Sequence, residues 1–463
     1  MKNRMNLALL CAALVLAGCA TVPDAPAQPE VPAKFREDAS RWIASHPAEA
    51  QDRGTWWMAF EDPVLDALVE RAGAANTTIA QAAARWRRAR AIARGVDADR
   101  APQIGVGASV ARQAGLNTAN GMSPATLAQV TASASYEADL SGRLSRAADA
   151  ASLDAQAQAA LLQSTRLLVQ TETAGTYLAL RATDAERAIL RDTVSAYEGT
   201  LRLTQRRRQA GDLAEIDVAR VETELAATRS EAIALDRRRA ELEHALAVLV
   251  GEAASRFRLD EGAWTTALPR IPAGVPATVL ARRPDVAAAE SEILAAQQRV
   301  GAARAAWLPN ISLTAAGGYA SPELGDLFRW SARAWGIGAL LSLPVFDGGR
   351  RQAGVDSAQA QLEGAAAAYR GQVLAAFRDV EDQLAALRLL DEQAQVQARA
   401  LHFAARATQL SESRYRNGLD SQLELLDARR SELRNRRQAL AVKAGQYQAT
   451  VSLIRALGGD WGS

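Results

Sequence analysis

The sequence predicts a mainly helical chain that also carries four alternating β-strands and is built as two copies of one structural unit. All prolines lie outside two long stretches, residues 140–268 and 345–463, so long helices can run there. Three pairs of matching residues are each separated by 207 positions: Pro102 and Pro309, Arg143 and Arg350, and Gly211 and Gly418. Because the separation stays constant over more than a hundred residues, the structural elements of the two halves must have equal lengths.

The N-terminus has the pattern of an export signal. Lys2 and Arg4 precede an apolar run from Leu7 to Leu16, which is too short to span a bilayer as a helix. The small residues before Cys19 resemble the lipobox of bacterial lipoproteins, so we expect residues 1–18 to be cleaved and Cys19 to carry the lipid. An ordinary signal peptide with an incidental cysteine is the alternative. By the same resemblance, Ala20 after Cys19 favours the outer membrane.

Residues 19–55 are predicted to form a lipid-anchored, extended linker. Pro23, Pro26, Pro29 and Pro32 are spaced among Ala, Gln and Glu in this region, a composition that favours an extended chain over a packed core. The two halves of the folded protein then follow as residues 56–268 and 269–463.

Composition and charge argue against two other classes of protein. The formal net charge is only +2 on 463 residues, with basic and acidic residues interleaved, which gives no basis for nucleic-acid binding. His46, His244 and His402 are scattered, without cysteine or histidine neighbours at metal-ligand spacing. We therefore expect no enzyme, no metal and no cofactor.

The proline-free stretches are rich in strong helix formers. From Arg143 to Gln209 one helix of about 65 residues is predicted, ~100 Å long at 1.5 Å per residue. Apolar and small residues recur there at steps of four and three, the spacing of a coiled-coil seam, from Leu153 to Leu178. A looser seam runs from Leu362 to Leu387. An antiparallel coiled coil without any channel fits the helices equally well.

Four segments alternate between apolar and polar residues, a period of two that marks strands with one apolar and one wet face. Their expected bounds are about 103–113, 127–139, 310–320 and 335–346. Membrane β-barrels use strands of this kind, but the smallest need about eight of them, and open edges are not stable in lipid. A homotrimer resolves the conflict because it supplies twelve strands to one shared barrel.

Six motifs follow one another along the folded part of the sequence. They are Trp56 to Leu65, Arg282-Arg283-Pro284-Asp285, Gly301 to Pro309, Phe346-Asp347-Gly348-Gly349-Arg350, Arg414 to Gly418 and Leu425 to Ala428. In kind and order these motifs resemble the outer-membrane factor family, the TolC-like exit ducts of bacterial tripartite efflux pumps, and most closely its lipoprotein branch. The resemblance covers roughly residues 56–458.

The resemblance implies a trimer with a twelve-stranded barrel in the outer membrane and a twelve-helix barrel in the periplasm. It further implies that Gly211, Asp212, Gly418 and Leu419 lie at hairpin tips, where a periplasmic adaptor (membrane fusion) protein docks. An inner-membrane RND-type pump completes the assembly.

The resemblance also places a gate at Leu423, Glu424 and Asp427. Threefold symmetry would gather each residue into a ring, so the carboxylates would form a closed, cation-attracting constriction. A pair of solvated acids on a helix surface is the alternative. Arg206, Arg207 and Arg208 are candidate partners that hold the gate shut.

The function expected from these features is passive conduction of small toxic compounds or drugs out of the periplasm. Two alternatives remain open from the sequence. One is a lipid-anchored periplasmic coiled-coil scaffold, and the other is a duct for type I protein or peptide secretion.

Overall fold

The computed structural model describes residue 36 and residues 54–113, 125–269, 271 and 282–459. The predicted signal peptide, Cys19 and almost all of the predicted linker lie outside the described residues. What is said below of structure concerns the described part of the chain.

The helices of the two halves match in length and position. Each half contains a helix of 22 residues, a helix of 67 residues and a helix of 35 residues, and each helix of the second half begins 207 positions after its counterpart in the first. The first half has one more short helix before these three. The bounds are α1 Pro63–Ala75, α2 Thr77–Ala98, α3 Arg143–Gln209, α4 Glu215–Leu249, α5 Pro284–Ala305, α6 Arg350–Arg416 and α7 Gln422–Ala456; a 3₁₀ helix, Trp56–Phe60, precedes them.

The long helices α3 and α6 form because their interiors contain no proline and are dominated by Ala, Leu, Arg, Glu and Gln. Their predicted seams face other parts of the protein: Leu167, Ala174 and Leu178 on α3, and Val373 and Ala376 on α6, are buried. Among the described helices, none combines the length and apolar character needed to cross a membrane.

The four strands form one antiparallel sheet in the order β1-β2-β3-β4. Their bounds are β1 Gln103–Gln113, β2 Ala125–Ala138, β3 Asn310–Ser321 and β4 Arg333–Ser342. β2 pairs with β3 although they come from different halves, with Ala132 opposite Gly317. The outer edges of β1 and β4 have no partner strand within the described residues. The sheet is therefore open at both sides.

β4 ends at Ser342, four residues before the expected end near residue 346. Pro344 explains the difference, because proline has no N–H to pair with β3 and is excluded from strand interiors. Val345 and Phe346, which the alternation assigns to the strand, lie beyond it and are 89% and 90% exposed.

The chain divides into two compact units. One contains the sheet together with the parts of the helices within Ala84–Ala160 and Ala288–Gly371. The other contains α1, most of α3 and α6, and all of α4 and α7. Tyr197, Val221, Leu225 and Leu426 form a buried cluster where α3, α4 and α7 pack together in this second unit.

A network of arginines and acids fastens residues 251–269 to α3 and α4 in the second unit. Buried Asp184 pairs with Arg239 at 2.8 Å, and Arg239 also donates to the carbonyl oxygen of Leu259 at 2.6 Å. Glu261 accepts from Arg191 at 2.9 Å and from Arg187 at 2.7 Å. These hydrogen bonds, that of Arg191 foremost, lower the pKa of Glu261 to about 2.

The Arg282 to Asp285 motif has a clear structural role. The buried Arg283 guanidinium pairs with Asp285 at 2.7 Å and with Asp379 of α6 at 3.3 Å, and it donates to the carbonyl oxygen of Ala456 at 3.1 Å. One side chain thus joins the start of α5 to α6 and to the end of α7.

Candidate functional site at the hairpin tips

The first tip, between α3 and α4, is closed by a glycine in the left-handed region. Gly211 has a φ of +88°, its N–H donates to the carbonyl of Arg208 at 2.9 Å, and the N–H of Asp212 donates to the carbonyl of Arg207 at 2.9 Å. This is a Schellman motif, which satisfies the last carbonyls of the helix. Asp212 is exposed beyond it.

The second tip, between α6 and α7, repeats this geometry 207 positions later. Gly418 has a φ of +70° and donates to Tyr415 at 3.1 Å, while Leu419 donates to Arg414 at 2.9 Å. A Cβ added to Gly211 or Gly418 meets nothing within 4 Å, so only backbone strain requires glycine. Leu419 is 68% exposed at the tip.

The two helices that leave the tips begin differently. At the start of α7, Ser421 Oγ accepts from the N–H of Glu424 at 3.3 Å, and Glu424 Oε2 accepts from the N–H of Ser421 at 3.4 Å. This is a complete capping box. At the start of α4, Ala214 has no side-chain acceptor, and only the return bond from its N–H to Asp217 Oδ2 is present, at 3.3 Å. The carboxylate of Glu424 therefore has a local partner in its own helix.

The other predicted gate residues are exposed on the first turns of α7. Leu423 is 46% exposed, whereas Leu425 and Leu426 are buried in the core of the hairpins. Asp427 pairs with Arg430 one turn further on, at 3.3 Å. Arg430 also pairs with Glu224 of α4, and this hydrogen bond is the main reason that the pKa of Arg430 is raised.

The arginines at the end of α3 contact other groups than the predicted acids. Arg208 pairs with Glu215 at 2.6 Å. Arg207 stacks on the ring of Tyr415 at 4.9 Å and donates to the carbonyl of that residue at 3.4 Å. Within the described chain, neither Arg207 nor Arg208 pairs with Glu424 or Asp427, and the role of Arg206, Arg207 and Arg208 in holding the gate shut stays a prediction.

Contacts that sequence analysis missed join the two hairpins near the tips. The side chain of Gln422 donates to the carbonyl of Asp217 at 3.0 Å. Arg429 donates to the carbonyl of Ala196 at 3.1 Å and pairs with Glu412 at 2.6 Å. The partners of Gln422 and Arg429 on the first hairpin lie more than two hundred positions away in the sequence, and no local pattern indicates them. The Ser421-x-x-Glu424 box does have a local signature, which the sequence analysis did not use.

No group of three or more His, Cys, Asp or Glu that could hold a metal ion is found among the described residues. The arrangement of two glycine-closed turns, exposed Leu419 and Leu423, and exposed Asp427 is suited to contacts with other surfaces and to an electrostatic barrier.

A family model described as "Outer membrane efflux protein" matches residues 68–252 and 275–459. The two matched segments begin 207 positions apart, the offset of the repeat. The chain belongs to the outer membrane efflux protein family. The recognition made from the motifs is confirmed, and so is the predicted fold class of two repeats with long helical hairpins and a few membrane strands. Membership places the protein in the bacterial outer membrane.

Members of the outer membrane efflux protein family resemble this chain over nearly its whole length. Outer membrane protein OprJ of Pseudomonas aeruginosa is 32% identical over 468 residues, 99% of this chain and 97% of OprJ. The toluene efflux pump outer membrane protein TtgC of Pseudomonas putida is 31% identical over 471 residues, 98% of this chain and 95% of TtgC. The solved open state of the Neisseria gonorrhoeae MtrE outer membrane channel is similar with a TM-score of 0.85 and 28% identity, covering 95% of this chain and 98% of that one.

Proposed function

We propose that three copies of this chain form one outer-membrane exit duct, which conducts small toxic compounds passively after its periplasmic end is opened by an adaptor. The observation that carries the proposal is the four-stranded sheet with unpaired edges at β1 and β4. In hydrocarbon an unpaired strand edge costs several kcal/mol per group, so β4 of one copy must pair with β1 of the next. Three copies give twelve strands and close the barrel.

An exposed apolar stripe on α6 supports the same assembly. Leu389, Val396, Phe403 and Leu410 are spaced seven residues apart and are 52%, 57%, 68% and 48% exposed. A strict heptad stripe is the seam of a coiled coil with a partner helix. Among the described residues these four side chains stay exposed, and in this proposal a helix of the neighbouring copy covers them.

The test is the mass of the detergent-extracted protein by light scattering. We expect three times the mass of one chain. Replacing Phe403 with Asp puts a charge in the seam and should give a smaller species, whereas Gln409→Asp, an exposed position off the stripe, should leave the trimer intact. A monomeric parent protein would contradict the assembly and favour the lipid-anchored scaffold. A trimer mass for both variants would contradict the role of the α6 stripe as a seam between copies.

Leu423, Glu424 and Asp427 are assigned to the closed gate of this duct. Support comes from the exposure of Leu423 and Asp427 on the first turns of α7, next to the tip. Conductance of single channels in planar bilayers tests it. Asp427→Ala should raise the conductance of the resting state and weaken its preference for cations, and an unchanged resting conductance would reduce Asp427 to a surface acid. Glu424→Gln removes the charge but keeps a capping acceptor, so it separates electrostatics from helix stability.

Adaptor docking is assigned to the tips at Gly211, Asp212, Gly418 and Leu419. Leu419 is the sharpest test because it is exposed and apolar. Leu419→Asp should weaken binding of a purified periplasmic adaptor, measured by surface plasmon resonance, while the trimer mass stays the same. Equal binding by the parent and the variant would contradict the assignment of Leu419 to the docking surface.

Lipid attachment at Cys19 completes the proposal. The residue lies outside the described chain, and its support is the sequence pattern alone. Mass spectrometry of the mature protein should find acyl chains on an N-terminal Cys19, and a chain that begins elsewhere would contradict the assignment. The pump that loads the duct is of the RND type in this proposal, and that pump selects the cargo.

A further inference from the structure

A cleft of about 550 Å³ lies between α3, α4 and α7 above the second tip. We call it the α4–α7 cleft. Its charged and aromatic lining consists of Glu186, Tyr197, Glu224, Glu231, Arg430, Arg434 and Arg437. Leucine, alanine, threonine and glutamine side chains of the three helices line the remainder of the cleft. The volume lies within the range of sites for small organic molecules.

Two ion pairs bridge α4 and α7 along this cleft. Arg430 pairs with Glu224, and Arg437 pairs with Glu231 at 2.6 Å and with Glu186 of α3 at 2.7 Å. The acids on α4 are seven residues apart, and so are the arginines on α7. Two turns of helix therefore separate the two ion pairs, and the cleft lies between them.

Arg434 lies between the two bridges and has no acid opposite it. It is exposed, and within the described chain it makes no ion pair and no hydrogen bond. The α4 residues that line the cleft there are Ala227 and Thr228, where a third glutamate would complete the ladder. The cleft thus contains one guanidinium whose charge is not balanced by a direct partner.

Tyr197 of α3 contributes a second unsatisfied group. Its side chain is only 1% exposed, and its hydroxyl has no hydrogen-bond partner among the described residues. A buried hydroxyl without a partner is unfavourable, so an acceptor that reaches it gains free energy. Burial raises the pKa of Tyr197, which keeps the hydroxyl protonated and able to donate.

We propose that the α4–α7 cleft binds a small organic anion, a carboxylate or sulfonate on an aromatic body, through Arg434 and the hydroxyl of Tyr197. The guanidinium supplies charge and two parallel donors, and the apolar lining holds the ring. Whether the anion is transported or acts as an effector, it bridges α3 and α7 and stabilises the packed arrangement of the hairpins.

The position of the cleft relates it to the gate. Leu423, Asp427, Arg430, Arg434 and Arg437 follow one another at steps of 4, 3, 4 and 3, so they share one face of α7. The link between cleft and gate rests on the proposed function: if Leu423 and Asp427 face the lumen, the anion site opens to the lumen just beyond the acidic gate. In a trimer, Arg434 then forms a ring of three.

The experiment is a fluorescence titration of the full-length, detergent-extracted protein with dansylate, the aromatic sulfonate. The control probe is dansyl amide, which has the same ring without the charge. We expect saturable dansylate binding at one site per chain. Arg434→Ala should raise the Kd at least tenfold, which is about 1.4 kcal/mol. Tyr197→Phe should raise it about three- to tenfold. Arg436→Ala, which removes a neighbouring arginine paired with Glu432 outside the cleft, should change it less than twofold.

Three results would overturn the site: absence of saturable binding, equal affinity of the parent and Arg434→Ala, or equal affinity for dansylate and dansyl amide. Channel recordings of the same preparation separate this proposal from the duct. A preparation that conducts but does not bind dansylate contradicts the site alone. A preparation that binds with the expected variant pattern but does not conduct contradicts the duct and leaves the anion site standing.

Discussion

Replacing Ser421 with Ala should loosen the first turn of α7 and leave the rest of the hairpins unchanged. Ser421 is the N-cap of α7, and its hydroxyl is the acceptor for the N–H of Glu424. The substitution makes this position identical to Ala214, the N-cap of α4, which has no such acceptor. The chain therefore contains its own reference for the variant.

The size of the effect follows from the geometry of the cap. Loss of a serine N-cap costs about 0.5–2 kcal/mol. Both bonds of this box are long, 3.3 Å and 3.4 Å, and solvent reaches them, so we expect the lower part of that range, about 0.5–1 kcal/mol. Local opening of the first turn should then increase about two- to fivefold.

Amide hydrogen exchange measures this opening directly. The amides of Glu424 and Leu425 should exchange about two- to fivefold faster in Ser421→Ala, and those after Ala214 should not change. The reciprocal variant Ala214→Ser should slow exchange of the first turn of α4 by a similar factor. Equal protection of the first turn of α7 in the parent and Ser421→Ala would refute the reasoning, because the cap would then contribute nothing. Faster exchange throughout both hairpins would refute it too, because the effect would not be local.

Three other predictions concern stability, and circular dichroism of the detergent-extracted protein measures each of them. Arg283→Met leaves the charges of Asp285 and Asp379 without their buried partner and should lower the free energy of unfolding by about 3 kcal/mol, measured as a lower midpoint of thermal unfolding. An unchanged midpoint would contradict the role of Arg283 in joining these helices. The pKa of Glu261 is lowered on folding to about 2, so its ion pairs stabilise the protein above pH 4.5 and this stabilisation is lost as the pH falls from 4.5 towards 2. Glu261→Gln should remove about 0.5–1 kcal/mol of that pH-dependent stability, a small value because the carboxylate is 47% exposed to solvent. Parallel pH profiles of unfolding for the parent and the variant would contradict this prediction. Gly418→Ala forces a Cβ into a φ of +70° and should destabilise the second hairpin by about 1 kcal/mol, whereas Gly371→Ala in the interior of α6 should be neutral or stabilising; equal effects would show that backbone strain at the tip is negligible.

Local physics explains which elements sequence analysis predicted. The absence of proline between Arg143 and Gln209 and the helix-forming composition are sufficient to predict α3, because each residue contributes its own preference. The glycine that closes each tip is equally local, since only the φ of that residue is at stake. The end of β4 was wrong because alternation was followed past Pro344, although proline is itself a local signal that a strand ends.

The candidate site was predictable only in part. Leu423, Glu424 and Asp427 were assigned from the family motif, and their role as a gate stays a prediction. The pairing of Arg430 with Glu224 joins residues more than two hundred positions apart, and no spacing rule connects them. The same is true of Tyr197, whose unsatisfied hydroxyl becomes visible only after three helices have packed around it.

The equal lengths of the paired helices limit how this chain can change. One residue inserted into α3 would turn every later side chain by about 100° and displace the tip by about 1.5 Å relative to its twin. Such a change breaks the buried seam of α3 and leaves the two tips, 207 positions apart, at different heights. Only insertions of whole heptads in α3 and its partner α4, matched in α6 and α7, keep both seam and tips in register. The length of the helical part of the duct can therefore change only by whole heptads, and each heptad must be inserted in both halves of the chain.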